Sequence, residues 1–177
     1  NSSEDFITKA AKATKLLGEG KASFELKEGI YFGQETADGK LAAVFPGQGA
    51  QSTGMLRDLA CQFPEFLESL KGADKAHRAT LGKKARLLSD VIYPFSTFNQ
   101  EDADANNDLL RKTENAQPAI GALSLGAYKM MTKRFGLKTE MSGGHSYGEI
   151  PALYAAGVID EATAHQLSCL RGKLMGA

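Results

Sequence analysis

The sequence has little of what marks secreted, metal-binding or membrane proteins. Its two cysteines, Cys61 and Cys169, are too few for a disulfide framework and follow no zinc-ligand spacing. No run of about 18 apolar residues appears, and the first residues lack the basic-then-apolar pattern of a signal peptide. The 21 basic and 21 acidic residues balance, so no excess of positive charge indicates binding to nucleic acid or to an anionic membrane. We therefore expect a soluble, cytoplasmic protein without a metal site.

The first 40 residues differ in pattern from the rest of the chain. With 177 residues, 42% of them hydrophobic, the chain is large enough for one ordinary domain or for part of a larger one. We interpret residues 1–40 as a linker or accessory element that precedes the main domain. The elements predicted there are a helix over Asp5–Leu17, short strands over Ala22–Leu26 and Gly29–Gly33, and a turn over Thr36–Lys40.

From residue 41 onward the pattern indicates strands alternating with helices. The apolar run Leu41–Phe45 predicts a strand buried on both faces, as in a parallel sheet. The polar run Gln100–Asp108 (QEDADANND) predicts a solvated loop that fits no metal-binding motif. Strand–loop–helix followed by helix–strand–helix predicts an α/β fold with a mainly parallel sheet. The helices and strand predicted there are a helix over Met55–Leu70 that Pro64 breaks or kinks, a helix or strand in Leu87–Phe95, a helix from a first turn at Pro118 to a cap at Gly136, a strand over Thr139–His145, a helix over Tyr147–Ala156, and a last helix that Asp160 caps.

The stretch Gly144-His145-Ser146-Tyr147-Gly148 has the G-x-S-x-G pattern of a nucleophile elbow. A serine on a tight strand-to-helix turn needs glycine two residues away on both sides, because side chains there would collide. Its hydroxyl is then exposed at a helix start, where the helix dipole favours an anion. The alternative, a glycine-rich turn with an exposed serine, stays open on this pattern alone.

A second glycine-rich turn, FPGQGAQ at Phe45–Gln51, also follows a predicted strand and precedes a predicted helix. The N–H of Gln48 could donate to an oxyanion together with the N–H of Tyr147, and two such donors are the usual requirement. Alone, this stretch equally fits an ordinary turn with a solvated glutamine.

Together, FPGQGAQ and GHSYGE closely resemble the acyltransferase family that loads malonyl units onto acyl carrier proteins. The family comprises malonyl-CoA:acyl-carrier-protein transacylases and the acyltransferase domains of polyketide and fatty-acid synthases. TENAQPA (Thr113–Ala119), AAGVID (Ala155–Asp160) and LRGKLM (Leu170–Met175) are similar to it too, so the resemblance covers Leu41 to Ala177. The tyrosine in GHSYGE and the preceding linker are most similar to iterative multidomain synthases of the polyunsaturated-fatty-acid or enediyne type.

The resemblance implies a role for four residues. Ser146 would be the nucleophile that becomes an acyl-serine ester, and Gln48 and Tyr147 would form the oxyanion hole through their backbone N–H groups. Arg171 would bind the free carboxylate of malonate, which suits a planar guanidinium. The implied partners are malonyl-CoA, an acyl carrier protein whose phosphopantetheine accepts the acyl group, and neighbouring domains such as a ketosynthase; no further cofactor is implied.

The resemblance also implies features that we do not find in the sequence. Family members use a histidine far downstream of the serine as general base, and His77, His145 and His165 do not match it. We therefore expect residues 41–177 to be the N-terminal part of the catalytic subdomain, with an α/β-hydrolase-like core, without the ferredoxin-like small subdomain, and with weak or no activity alone.

Two other functions remain open. An α/β-hydrolase esterase shares G-x-S-x-G, but it needs an acidic residue and a histidine after the serine, and 31 residues follow Ser146. A non-catalytic docking or scaffold piece of a synthase is the second alternative. Transfer of an acyl group to a carrier thiol, to water, or not at all distinguishes the three.

Overall fold

The computed structural model describes residues 2–34 and 39–176. The chain divides into two units, residues 1–39 and residues 40–177. Within the described residues, the first unit contains a helix and a hairpin, and the second contains a helical assembly with a pair of parallel strands.

The first unit begins with a capped helix. The side-chain oxygen of Ser2 accepts a hydrogen bond from the N–H of Asp5 over 3.2 Å, which satisfies a donor that the helix start leaves free. The predicted helix and both predicted strands are confirmed, whereas most of the predicted turn over Thr36–Lys40 lies outside the described residues. The elements are α1 (Ser3–Gly18), β1 (Ser23–Leu26) and β2 (Ile30–Gly33), and the two strands pair in antiparallel orientation.

The second unit has an α/β fold in which helices dominate. Its two described strands run parallel, with Ala42 opposite Met141 and Phe45 opposite Gly144, so their carboxyl ends meet at the same edge. The predicted α/β class with parallel strands is confirmed. The strands are β3 (Ala42–Phe45) and β4 (Met141–Gly144), and the α-helices are α2 (Arg57–Gln62), α3 (Pro64–Leu81), α4 (Leu88–Ile92), α5 (Gln100–Arg111), α6 (Thr113–Lys129), α7 (Glu149–Ala155) and α8 (Glu161–Met175).

Helices α3, α6 and α8 pack against one another and form the centre of the second unit. Helix α6 is buried along almost its whole length, which matches its run of small and apolar residues. Burial of such side chains is the main stabilising contribution to the fold, at about 25 cal/mol for each Å² of apolar surface removed from water. The buried core residues include Phe66, Leu70, Leu88, Ile92, Leu110 and Leu123.

The prediction of a solvated loop over Gln100–Asp108 is wrong, because this run forms most of α5. Asn99 caps the helix: its side-chain oxygen accepts from the N–H of Asp102 over 2.8 Å. Acidic side chains in the first turn interact favourably with the positive end of the helix dipole and so stabilise the helix. Leu110, which is 1% exposed, then anchors the far end of α5 in the core.

The predicted place of Pro118 in a first helical turn is also wrong, since α6 begins five residues earlier at Thr113. A side-chain hydrogen bond fixes this early start: Asn115 donates to the carbonyl of Leu109 over 2.9 Å and ties α6 to α5. Pro118 has no N–H for the carbonyl of Glu114, and the buried setting of α6 tolerates that loss. The break predicted at Pro64 is confirmed, because α2 ends at Gln62 and Pro64 is the first residue of α3.

Candidate functional site

The elbow around Ser146 has the strained backbone that its glycines predict. Ser146 has φ of +52°, in the left-handed region that a residue with a side chain seldom adopts. A Cβ on Gly144 would clash with the backbone of Gly148 and Glu149, and one on Gly148 would clash with the carbonyl of Phe45. Both glycines are therefore required by close backbone approach.

The chain continues from the elbow into a helical segment. A short 3₁₀ turn, Ser146–Gly148, leads directly into α7, so the strand–serine–helix order is confirmed. Ser146 is exposed, and Pro151 is accommodated in the first turn of α7. The hydroxyl of Ser146 is accessible at the carboxyl end of β4.

The parallel pairing of β3 and β4 brings the second glycine-rich turn beside the elbow. The N–H of His145, the residue after β4, donates to the carbonyl of Phe45 at the end of β3 over 3.1 Å. Within the described part of the chain, neither the N–H of Gln48 nor that of Tyr147 is used in a recorded hydrogen bond. Both amides therefore stay candidates for the oxyanion hole.

Arg171 reaches the same place from α8. Its Nη2 lies 3.5 Å from the Oγ of Ser146, a long and weak hydrogen bond. Its Nη1 is buried and has no hydrogen-bond partner among residues 2–34 and 39–176. A buried guanidinium nitrogen without a partner is costly, so this group is prepared to receive an acceptor.

The leucine stripe of α8 faces away from the core. Leu167, Leu170 and Leu174 are 38%, 49% and 68% exposed, and the buried face of the helix carries smaller side chains. The stripe forms one wall of an open apolar recess of about 390 Å³ that also contains Arg171. Arg171 therefore borders an apolar recess.

Gln117 is a site residue to which the sequence reasoning gave no role. It is 1% exposed, and its Nε2 donates to the side-chain oxygen of Gln48 over 3.1 Å. Gln48 in turn donates to the hydroxyl of Thr113 over 3.3 Å. The Oε1 of Gln117 is buried without a partner in the described chain. The sequence signal that could have identified Gln117 is a polar amide within TENAQPA, at the start of a helix whose other residues are mostly small or apolar.

The three histidines lie at different places, and among the described residues none of them forms a hydrogen bond with the hydroxyl of Ser146. His145 is exposed, with its ring beside the backbone of Gly47. His77 is buried in α3, where its Nε2 lies 2.9 Å from Oδ1 of Asn115. His165 is buried on α8, 3.6 Å from Glu161.

The side chain of Tyr147 leaves the elbow and enters the core between α6 and α8. It is fully buried, and its hydroxyl lies 2.7 Å from the Oγ of Ser168. Burial raises the pKa of the Tyr147 phenol far above its usual range, partly offset by the hydrogen bond with Ser168. The phenol therefore keeps its proton around neutral pH.

The part of the chain that the structure describes contains no group of three or more potential metal-ligating side chains and no helix long and apolar enough to cross a membrane. The candidate chemical groups of the site are the hydroxyl of Ser146, the backbone amides of Gln48 and Tyr147, and the guanidinium of Arg171.

Comparison with known proteins gives related sequences and folds. Two curated relatives are a malonyl CoA-acyl carrier protein transacylase of Haemophilus influenzae, 41% identical over 77% of this chain, and a component of the polyunsaturated fatty acid synthase of a Thraustochytrium species, 34% identical over 85%. This chain spans 38% of the transacylase and 5% of the synthase component. A malonyl-transacylase solved in complex with a type II polyketide synthase acyl-carrier protein superposes with a TM-score of 0.62 at 35% identity, covering 77% of this chain and 39% of that one.

The family model described as an acyl transferase domain matches residues 43–177, which include both glycine-rich turns, TENAQPA and Arg171. The match covers most of the second unit. The chain belongs to the acyl transferase domain family.

Proposed function

We propose that the site transfers a malonyl or substituted malonyl group from CoA to the phosphopantetheine thiol of an acyl carrier protein, through an ester of Ser146. The observation that carries the proposal is the guanidinium of Arg171 beside the nucleophile, with one buried nitrogen that no described residue satisfies. A malonyl carboxylate would satisfy it, whereas an acetyl group has no carboxylate to offer.

The first half of the reaction forms the acyl-serine. The Oγ of Ser146 attacks the thioester carbonyl while its proton passes to a general base. The oxygen of the tetrahedral intermediate is negatively charged, and the N–H groups of Gln48 and Tyr147 would donate to it. Collapse of the intermediate breaks the C–S bond, and the CoA sulfur leaves with the proton.

The second half repeats these steps with a different thiol. The phosphopantetheine sulfur loses its proton to the same base and attacks the ester carbonyl, and Ser146 leaves and recovers a proton. The general base is proposed to be a histidine downstream of residue 177, in keeping with the resemblance. Fatty-acid or polyketide synthesis, in which a neighbouring ketosynthase uses the loaded carrier, is the proposed setting.

The contact between Gln117 and Gln48 gives this site a fixed oxyanion-hole loop. The side chain of Gln48 is held by Thr113 and Gln117, both on the first turns of α6. The loop is thereby attached to a buried helix, and its N–H donors need little reorganisation when charge develops. The side chain of Gln48 thereby holds in place the backbone N–H that would donate to the oxyanion.

The test is the mass of the intact protein after incubation with malonyl-CoA, using the longest available chain that contains these residues. We expect a malonyl adduct in the unmodified protein and none in Ser146→Ala. Addition of a carrier protein with its phosphopantetheine arm should remove the adduct and load the carrier.

Other outcomes favour the alternative functions. Loss of the adduct to water at the same rate with and without carrier would indicate an esterase. Absence of any adduct on a folded chain that includes the downstream region would contradict acyl transfer and favour a docking or scaffold role.

A further inference from the structure

The side chain of Tyr147 connects the nucleophile elbow to the helix that carries Arg171. The hydroxyl of Ser168 donates to the carbonyl of Ala164 over 2.7 Å, so its single proton is already used. The phenol of Tyr147 must then donate to the Oγ of Ser168 over 2.7 Å. The direction of this hydrogen bond follows from the proton count.

Ser168 stands one helical turn before Arg171, on α8. A helix rises about 1.5 Å for each residue, so the Tyr147 hydroxyl fixes the turn of α8 directly next to the arginine. At its other end, Tyr147 adjoins Ser146 in the chain. One rigid aromatic side chain therefore spans the two elements that supply the nucleophile and the cation.

The slot that holds the phenol is closed by Gly121 of α6. A Cβ on Gly121 would clash with the Tyr147 hydroxyl and would lie 3.3 Å from the Oγ of Ser168. Gly121 has no positive φ, so close approach is the reason for glycine at this position. The slot thus fits a tyrosine whose hydroxyl ends against a serine and a glycine.

We propose that the side chain of Tyr147 is a positioning residue that sets the spacing between the Oγ of Ser146 and the guanidinium of Arg171, and through it the preference for acyl donors that carry a free carboxylate. The proposal rests on the proposed function. It concerns the phenol, which points away from the reacting atoms, and is separate from the role of the Tyr147 backbone N–H.

The direct test compares malonyl-CoA and acetyl-CoA as donors with Tyr147→Phe, which keeps the ring and removes the hydroxyl. A neutral hydrogen bond is worth about 1 kcal/mol, so we expect the malonyl-to-acetyl ratio of kcat/KM for Ser146 acylation to fall about three- to tenfold. Ser168→Ala should produce the same fall, and the double variant should show no further fall, because both changes remove one interaction.

Gly121→Ala provides an independent test of the slot. In the presence of Tyr147 the added methyl displaces the hydroxyl, so the donor ratio should fall at least as far as in Tyr147→Phe. In the Tyr147→Phe background the same methyl meets no hydroxyl, and we expect its effect on the ratio to be smaller. Two independent packing defects would instead lower the ratio by the same factor in both backgrounds. A smaller effect in the Tyr147→Phe background therefore shows that the methyl acts through the hydroxyl.

The outcomes separate this proposal from the proposed function. If the unmodified protein forms no malonyl adduct that depends on Ser146, the proposed function fails. If the adduct forms but Tyr147→Phe, Ser168→Ala and Gly121→Ala lower malonyl and acetyl acylation by equal factors, or leave the ratio unchanged, Tyr147 has only a structural role and the positioning proposal is overturned.

Discussion

Two cations on neighbouring helices are withdrawn from solvent in different ways. Lys129 of α6 has a side chain that is 3% exposed, and its Nζ bonds both carboxylate oxygens of Glu161, at 2.9 and 3.0 Å. A second carboxylate, that of Glu68, lies 3.4 Å away. Arg171 of α8 has a buried Nη1 without a hydrogen-bond partner, and no ion pair of Arg171 is found in the described part of the chain.

A structural charge and a binding charge differ in whether the protein itself neutralises the charge. A buried cation that its own chain neutralises joins helices, and its partners are fixed by folding. A cation left incomplete beside a nucleophile adds a desolvation cost that a ligand can remove. By this comparison Lys129 belongs to the scaffold, and Arg171 is a candidate for binding a ligand at the proposed site.

The largest effect on stability should come from removing the main partner of Lys129. Glu161→Ala leaves a buried ammonium with only the solvated carboxylate of Glu68 nearby. Breaking a buried ion pair costs about 3–5 kcal/mol, and because Glu161 is 30% exposed we expect about 2–3 kcal/mol in the free energy of unfolding. Urea denaturation measures this loss.

The matched control is Lys129→Met, which removes the cation and leaves a partly solvated carboxylate. It should cost less stability than Glu161→Ala, because no unpaired charge stays buried. If Lys129→Met is the more destabilising of the two variants, the cost of Glu161→Ala does not come from leaving the charge of Lys129 buried and unpaired.

The same carboxylate gives a pH dependence of stability. The neighbouring His165, as the largest cause, and Lys129 lower the pKa of Glu161 from 4.5 to about 2. Burial of the carboxylate opposes this shift. The ring lies 3.6 Å from Oε1, so the shorter contacts with Lys129 are the firmer structural support.

A pKa lower in the folded than in the unfolded protein means that the stabilisation is fully present above about 4.5 and is lost as the pH falls towards about 2. We expect the free energy of unfolding to fall with a steeper slope over this interval in the unmodified protein than in Glu161→Gln. Equal slopes in urea denaturation at a series of pH values would show that Glu161 does not cause this loss of stability.

The smallest effect should come from the outer partner of Lys129. The side chain of Glu68 is 68% exposed, and exposed ion pairs contribute between about 0 and 1 kcal/mol. Glu68→Gln should therefore lower the free energy of unfolding by at most about 1 kcal/mol, which is less than the loss expected for Glu161→Ala. A loss as large as that of Glu161→Ala would show that Glu68 carries the pairing.

Much of the site follows from local sequence, because its geometry is local. The strand before Ser146, the helix after it and the two glycines are all within a few residues, and the structure has them as predicted. The motif LRGKLM also singled out Arg171, which the structure has beside Ser146, and its carboxylate-binding role stays a prediction.

Features that depend on contacts between distant residues were not predictable. Gln117 meets Gln48 across 69 positions, and periodicity carries no information about such pairs. The stripe of α8 shows three leucines on one side, but spacing alone does not tell whether that side faces the core or a recess. Helix α5 was missed because its polar composition resembles a loop until the Asn99 cap and buried Leu110 are known.

Binding of the malonyl carboxylate by Arg171 is the central claim for this site. Its most direct test is the kcat/KM of Ser146 acylation by malonyl-CoA and by acetyl-CoA in the unmodified protein, Arg171→Ala and Arg171→Lys. A charge-assisted bidentate contact is worth about 2–3 kcal/mol, so Arg171→Ala should lower the malonyl value about 30- to 100-fold and lower the acetyl value far less, with Arg171→Lys in between. Equal losses with both donors would contradict the assignment of Arg171 to the carboxylate and, with it, the comparison on which this account rests.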